Sequence, residues 1–214
     1  WGKGERDRQN DVIDFTSHIL MQMAPQFVNH VWVPQPALLQ SYVGTELQDE
    51  KGHELQPVTL PIFDITLDHC TFTDLIQHWH DSSGLRRSFS EASAALCFAI
   101  DRRVPPHFRK CNQIVDLQHG LIQIPYFNAD SQVCWKNYRI AALAFHIGQT
   151  ARSGHWRAAL FHCNRWFVYD DGKLPEQMSE LTIDIQRQVN LIWLIDAELD
   201  RTPLATTAAA AATA

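Results

Sequence analysis

Between Tyr138 and Asp171 the chain runs through strand-like segments parted by polar breaks, and this restricts the region to an antiparallel set of strands. The first run ends in His146, Ile147 and Gly148, a polar loop leads to Gly154, His155 and Trp156, and a last run returns to Tyr169, Asp170 and Asp171. With a hairpin centred between Cys163 and Asn164, Arg157 stands opposite Asp170, and His155 lies on the same face, diagonal to that aspartate. A slip of one residue turns Asp170 away and puts Asp171 in its place.

A carboxylate beside an imidazole has a specific chemical use. It fixes the tautomer and the ring orientation, so that the far nitrogen can take a proton from a nucleophile, and it stabilises the imidazolium that results. With a thiol nucleophile, that imidazolium stabilises the thiolate. Taken alone, the pair also fits a strand-edge histidine and an aspartate that opens a turn with Asp171 and Gly172.

The remainder of the chain gives an order of helices first and strands later, an α+β arrangement. Val12, Ile13, Phe15, Ile19, Leu20 and Met23 follow helical spacing, which predicts an amphipathic helix over 10–23 with Asp7 or Asn10 as its cap. Residues 34–57 read as a loop or weak strands, and Val58–Leu67 as a strand. Thr71 and Asp74 form a capping pair ahead of Phe72, Leu75, Ile76 and Trp79, a second short helix. Strands are expected over 94–100, 113–117, 138–147, 155–161, 166–169 and 191–195. Residues 1–198 form one domain, and 199–214 end in an Ala/Thr-rich tail.

Composition excludes several classes of function. The 214 residues are 45% hydrophobic and 20% charged, enough for one sizeable core. A formal charge of -6 and the absence of any Lys/Arg run speak against nucleic acid as a partner and suit a basic protein instead. No apolar stretch is long enough for a membrane span and no leader pattern is present, so an intracellular protein of cytoplasm or nucleus is expected. The five cysteines (Cys70, Cys97, Cys111, Cys134 and Cys163) form no C-x-x-C pair, which fits free thiols. His69, Cys70, His78 and His80 lack the spacing of a zinc site and the histidines read as polar helix-surface residues, so no metal and no cofactor is expected.

Several motifs in order resemble the ubiquitin-specific protease family. Its histidine box of Tyr, strand, His-x-Gly, loop, Gly-His-Tyr, strand, Trp and an aromatic before Asp-Asp is similar to Tyr138, His146, Gly148, Gly154, His155, Trp156, Trp166, Tyr169, Asp170 and Asp171. Its Gln-Gln-Asp-Ala-x-Glu-Phe helix start resembles Gln9, Asn10, Asp11, Val12, Ile13, Asp14 and Phe15. Leu96 to Arg102 resembles the Leu-x-x-x-Leu-x-Arg-Phe strand, with Arg103 in place of the aromatic, and Leu191–Ile195 stands at the closing Tyr-x-Leu-x-Tyr strand without its tyrosines.

This resemblance implies a papain-like cysteine-protease fold with a helical thumb remnant, an antiparallel β palm and reduced fingers, since the two C-x-x-C pairs of zinc-bearing fingers are missing. It implies a thiol-dependent deubiquitinase acting on ubiquitin or a ubiquitin-like protein. His155 would be the general base and Asp170 its orienting partner, with Asp171 as second or substitute acid. Gly154 and Trp156 would flank the channel for the Gly-Gly end of the ubiquitin tail, Asp11 would pair with a tail arginine, and Gln9 and Asp14 would hold the helix start. The family's cysteine box should precede Gln9, and none of the eight residues there is cysteine. The nucleophile is therefore expected upstream of this chain, and residues 1–214 alone are expected to be inactive and poorly soluble. Cys70, at the start of a helix, is the best internal substitute. Two rival readings stay open: an inactive ubiquitin-binding module, and an unrelated α+β scaffold.

Overall fold

The computed structural model describes residues 12–23, 32–34, 57–62, 64, 66–82, 86–104, 109–117, 120–150 and 153–199. Helix α1 (Val12–Met23) is followed by β1 (Trp32–Pro34), β2 (Val58–Pro61), β3 (His69–Thr71), α2 (Phe72–Asp81), β4 (Arg87–Phe89), β5 (Ala95–Asp101), β6 (Arg103–Val104), β7 (Arg109–Lys110) and β8 (Ile114–Asp116). Then come β9 (Ile122–Phe127), β10 (Val133–Thr150), β11 (Ser153–His162), β12 (Arg165–Tyr169), β13 (Glu176–Met178), α3 (Ile183–Gln188) and β14 (Val189–Asp196). The result is a mixed α/β fold built on a ten-stranded, largely antiparallel sheet.

The 18-residue strand β10 is the spine of that sheet. Tyr138 pairs with Ile122 of β9 and with Asp196 of β14, while Ala142 pairs with Leu160 of β11 and Trp193 of β14. Since β14 takes one edge, β9 and β11 must follow each other along the other. Beyond β14 come β5, antiparallel, and β2, parallel to β5.

Each face of the sheet meets a helix. Strand alternation sends Leu143, Phe145 and Ala159 to one side, into the main core with Phe98, Ile192 and Leu194. There α2 buries Phe72, Leu75, Ile76 and Trp79, and Trp79 meets Phe89 and Phe98 at 5.6 and 6.5 Å between ring centroids. Each such side chain contributes roughly 1.5–3 kcal/mol on burial. On the other side, Val12 and Ile13 of α1, with Ala144 and Trp193, pack on Cys97, Ala99 and Leu191.

The capping box expected at α2 is present: Asp74 N donates to Thr71 Oγ1 at 3.0 Å, and Thr71 N donates to Asp74 Oδ2 at 2.8 Å. Other expectations need correction. The strand expected over 58–67 stops at Pro61, and Asp64 turns the chain by accepting from Thr66 N at 2.9 Å. Strand β9 is not among the strands that the sequence pattern predicts. Strand β10 starts at Val133 rather than 138 because it pairs with β9 through a turn in which Ser131 has φ 58°. His80 is buried rather than on the surface: its Nδ1 lies 2.5 Å from Arg87 O and its ring packs on Trp135. The expected caps Asp7 and Asn10 and all of 200–214 lie outside the described residues.

A buried guanidinium ties the lower end of the sheet together. Arg102, 2% exposed, donates to the carbonyls of Val189 (2.7 Å), Gln113 (2.8 Å), Gln186 (2.8 Å) and Cys111 (3.2 Å). Burial pulls its pKa down to about 10, and the four carbonyl dipoles take the place that water or a carboxylate would otherwise fill.

Candidate active site

The hairpin of β11 and β12 sets the site. Phe161 pairs with Trp166 and His162 with Arg165, which leaves Cys163 and Asn164 as a two-residue loop with φ 50° and 59°. Two positive φ values mark a turn whose twist matches that of the flanking strands. Counting back along this ladder from Ala158↔Tyr169, Arg157 falls opposite Asp170, the register expected from the sequence.

His155 Nε2 lies 2.5 Å from Asp170 Oδ1. Asp170 Oδ2 accepts from Lys173 Nζ at 2.7 Å, and Arg157 Nε stands 3.7 Å away on the same oxygen. These donors, Lys173 first and His155 second, draw the Asp170 carboxyl down to about 2, so it is ionised at neutral pH. An ionised acceptor requires the proton on His155 Nε2, and Nδ1 of the neutral ring is then the basic nitrogen. Asp171, 83% exposed in its side chain and in the left-handed region at φ 45°, places Oδ2 3.9 Å from Nδ1. A proton arriving at Nδ1 therefore meets a second carboxylate. Arg157 also sits 5.7 Å over the Phe145 ring and 3.7 Å from Glu176, so it braces the Asp170 side of the pair.

Gly154 and Trp156 alternate to the opposite face from His155. They do not meet it; they meet His146, whose buried ring lies 4.7 Å from that of Trp156. A Cβ on Gly154 would stand 2.5 Å from His146 Cε1 and Nε2, so packing inside the chain already demands glycine. Ile13 of α1, His146 and Trp156 line one cavity of about 40 Å³, which brings α1 and Trp156 to the same place. Asp14 lies in α1, and Gln9 and Asp11 lie outside the described residues. On the His155 face, a groove of about 840 Å³ runs past Ile147 and Gly148 between Leu67, Cys111 and Arg187.

Cys70 does not have the lowered pKa expected of a helix start. It sits in β3 beneath the helix, 5% exposed, and burial pushes its thiol up to about 11. Cys97 is buried and its thiol is likewise raised. Among the described residues, His155, Asp170 and Asp171 form a group with ligand atoms within 4.8 Å of one another, and no cysteine belongs to it. Lys173 and Arg157 already neutralise Asp170, which disfavours a metal ion there. Sequence reasoning missed Lys173, whose only signal is its place three residues after Asp170, and named His146 in the motif without a role, since its partner Trp156 lies on another strand.

No protein-family model matches the chain, and no curated protein sequence matches it. Solved structures do. One chain from the SAGA DUB module of Ubp8, Sgf11, Sus1 and Sgf73 bound to monoubiquitin is similar at TM-score 0.58 and 11% identity, over 88% of this chain and 49% of that one. A chain of the same module bound to ubiquitin aldehyde gives TM-score 0.55 and 12% identity, over 88% and 50%. A yeast SAGA DUB module with an Sgf73 mutant gives 0.53 and 14%, over 78% and 38%. The likeness is one of fold, and the chain spans at most half the length of each of these three chains.

Proposed function

We propose that this chain is the histidine-bearing part of a thiol-dependent deubiquitinase with a papain-like fold, the sheet acting as palm and α1 as a thumb remnant. The observation that carries it is the 2.5 Å pair of His155 Nε2 and Asp170 Oδ1, with Nδ1 on the other side of the ring. Similarity of fold to chains from ubiquitin-bound DUB modules supports it. In this reading a cysteine outside residues 1–214 gives its proton to His155 Nδ1 and attacks the carbonyl of the terminal glycine of ubiquitin or a ubiquitin-like protein. Imidazolium His155 then protonates the departing lysine amine, and water hydrolyses the thioester. Asp170 orients the ring and Asp171 stabilises the imidazolium. Gly154 and Trp156 flank the tail, Asp11 pairs with a tail arginine, Gln9 and Asp14 hold the helix start from which Asp11 reaches the tail, and the site uses no metal or cofactor. The protein acts in the cytoplasm or nucleus, apart from membranes and nucleic acid.

The second reading is a ubiquitin-binding module without catalysis, favoured by the lack of a cysteine in the His155 group. Ubiquitin carrying a C-terminal electrophile, applied to the intact native protein and followed by mass spectrometry, separates the two. An adduct on a cysteine outside this sequence that disappears in His155→Ala establishes the enzyme. Binding without an adduct establishes the module. An adduct on Cys111, in the groove beside Ile147, would relocate the nucleophile to this chain.

A further inference from the structure

Strand β10 loses a neighbour just where the candidate base needs a rigid backing. Its pairing with β14 ends at Phe145↔Val189, because α3 precedes Val189 and the chain leaves the sheet. Pairing with β11 continues on the other edge through His146↔Trp156 and Ile147↔His155. His146 and Gly148 therefore lie beyond the last β14 pair, at the end of β10 that β7 approaches. A strand end with neighbours on one edge only opens more easily than the paired middle of a sheet.

Lys110 holds this end of β10 from β7. Its Nζ donates to the His146 carbonyl and, at 3.2 Å, to that of Gly148. One ammonium thus bridges the two residues on either side of Ile147, the direct ladder partner of His155. Lys110 is itself fixed: β7 pairs with β6 through Arg103↔Lys110, and the next residue, Cys111, donates its N–H to Arg102 O at 2.7 Å and accepts from the buried Arg102 guanidinium. Burial of this amine brings its pKa down to about 8, in keeping with a group drawn out of water onto carbonyls.

We infer that Lys110 is a positioning residue for the proposed active site: by bridging the carbonyls of His146 and Gly148 it locks the end of β10, and through the Ile147–His155 pair it holds the imidazole in register with Asp170. This inference rests on the deubiquitinase reading for its catalytic meaning, though not for its geometry. An ammonium reaching two carbonyls can be imitated by the longer guanidinium of arginine and cannot be imitated by methionine.

The test compares Lys110→Met with Lys110→Arg in the full chain, using proton NMR of the His155 Nε2–H and hydrogen exchange of backbone amides. In Lys110→Met the far-downfield imidazole signal of the hydrogen bond to Asp170 is expected to be lost. Exchange at Ile147 and His155 should quicken about 10-fold, while amides near the hairpin tip, such as Phe161 and Trp166, stay protected. Lys110→Arg should restore both. A folded Lys110→Met protein that keeps the signal and the protection overturns the inference. Should it not fold, Lys110→Gln, which retains a shorter donor, takes its place: loss of the signal and of the protection supports the inference, and retention of both overturns it. In the intact protein, the rate of adduct formation at saturating ubiquitin electrophile should fall about 10-fold or more, with half-saturation unchanged. A wild type that forms no adduct defeats the enzyme reading while leaving the NMR result to decide on Lys110.

Discussion

Gly154 lies so close to the His146 imidazole that an added methyl would overlap its Cε1 and Nε2, each 2.5 Å away, as well as the Ile147 carbonyl oxygen. The His146 ring has little room to retreat, because it is buried and packed on Trp156. Gly154→Ala is therefore expected to lower stability by about 1–3 kcal/mol through overpacking. Urea unfolding of the chain checks this. An unchanged midpoint would mean that both the Ile147 carbonyl and the His146 ring give way without cost and that glycine is kept for another reason.

Asp170 gives a pH signature with a definite sign. Its folded-state pKa, about 2, lies below the ordinary 3.8, through the hydrogen bonds from Lys173 first and His155 second. Those interactions stabilise the folded state above about pH 4, and their contribution disappears as pH falls through about 2. Asp170→Asn should flatten the fall in stability between pH 4 and 2, and Lys173→Met should flatten it in part. Denaturation midpoints measured across that window decide, and parallel curves for wild type and Asp170→Asn would remove Asp170 from the account.

Arg102 is expected to be hard to replace. Lysine keeps the charge and offers three donors from one nitrogen, yet it cannot span carbonyls from Val189, Gln186, Gln113 and Cys111 at once. Leaving buried carbonyls unpaired costs about 1–3 kcal/mol each, so Arg102→Lys should lose roughly 3 kcal/mol or more. Calorimetry or urea melts read the loss; a change below about 1 kcal/mol would show that water replaces the guanidinium without penalty.

How far these features were legible depends on the range over which each is determined. The β11–β12 hairpin could be read because apolar alternation and a two-residue turn fix its register locally, and that register alone brings His155 to Asp170. The second helix was equally local, set by Thr71 and Asp74. Strand β9 was not legible, because Pro125 interrupts its pattern and its partner is the extended start of β10. His80 looks like any polar helix residue until Arg87, Ser88 and Trp135 close over it. Arg102 is marked by the Leu96–Arg102 motif, but its role is set by carbonyls between 9 and 87 residues away, and Lys110, whose carbonyls lie 36 and 38 residues away, has no signal among its neighbours.

Thiol reactivity carries the last prediction, and it bears on where the nucleophile lies. Cys163 sits exposed at the hairpin tip, Cys111 and Cys134 are half-buried, and Cys70 and Cys97 are buried with raised pKa values. Alkylation needs an accessible thiolate. In the native protein at neutral pH, Cys163 should therefore label first, Cys111 and Cys134 more slowly, and Cys70 and Cys97 only after unfolding. Time-resolved alkylation with peptide mass spectrometry ranks all five in one experiment. Rapid labelling of Cys70 would contradict its raised pKa and return it as a candidate nucleophile. A Cys111 rate that falls sharply in His155→Ala would show that the imidazole activates a thiol within this chain.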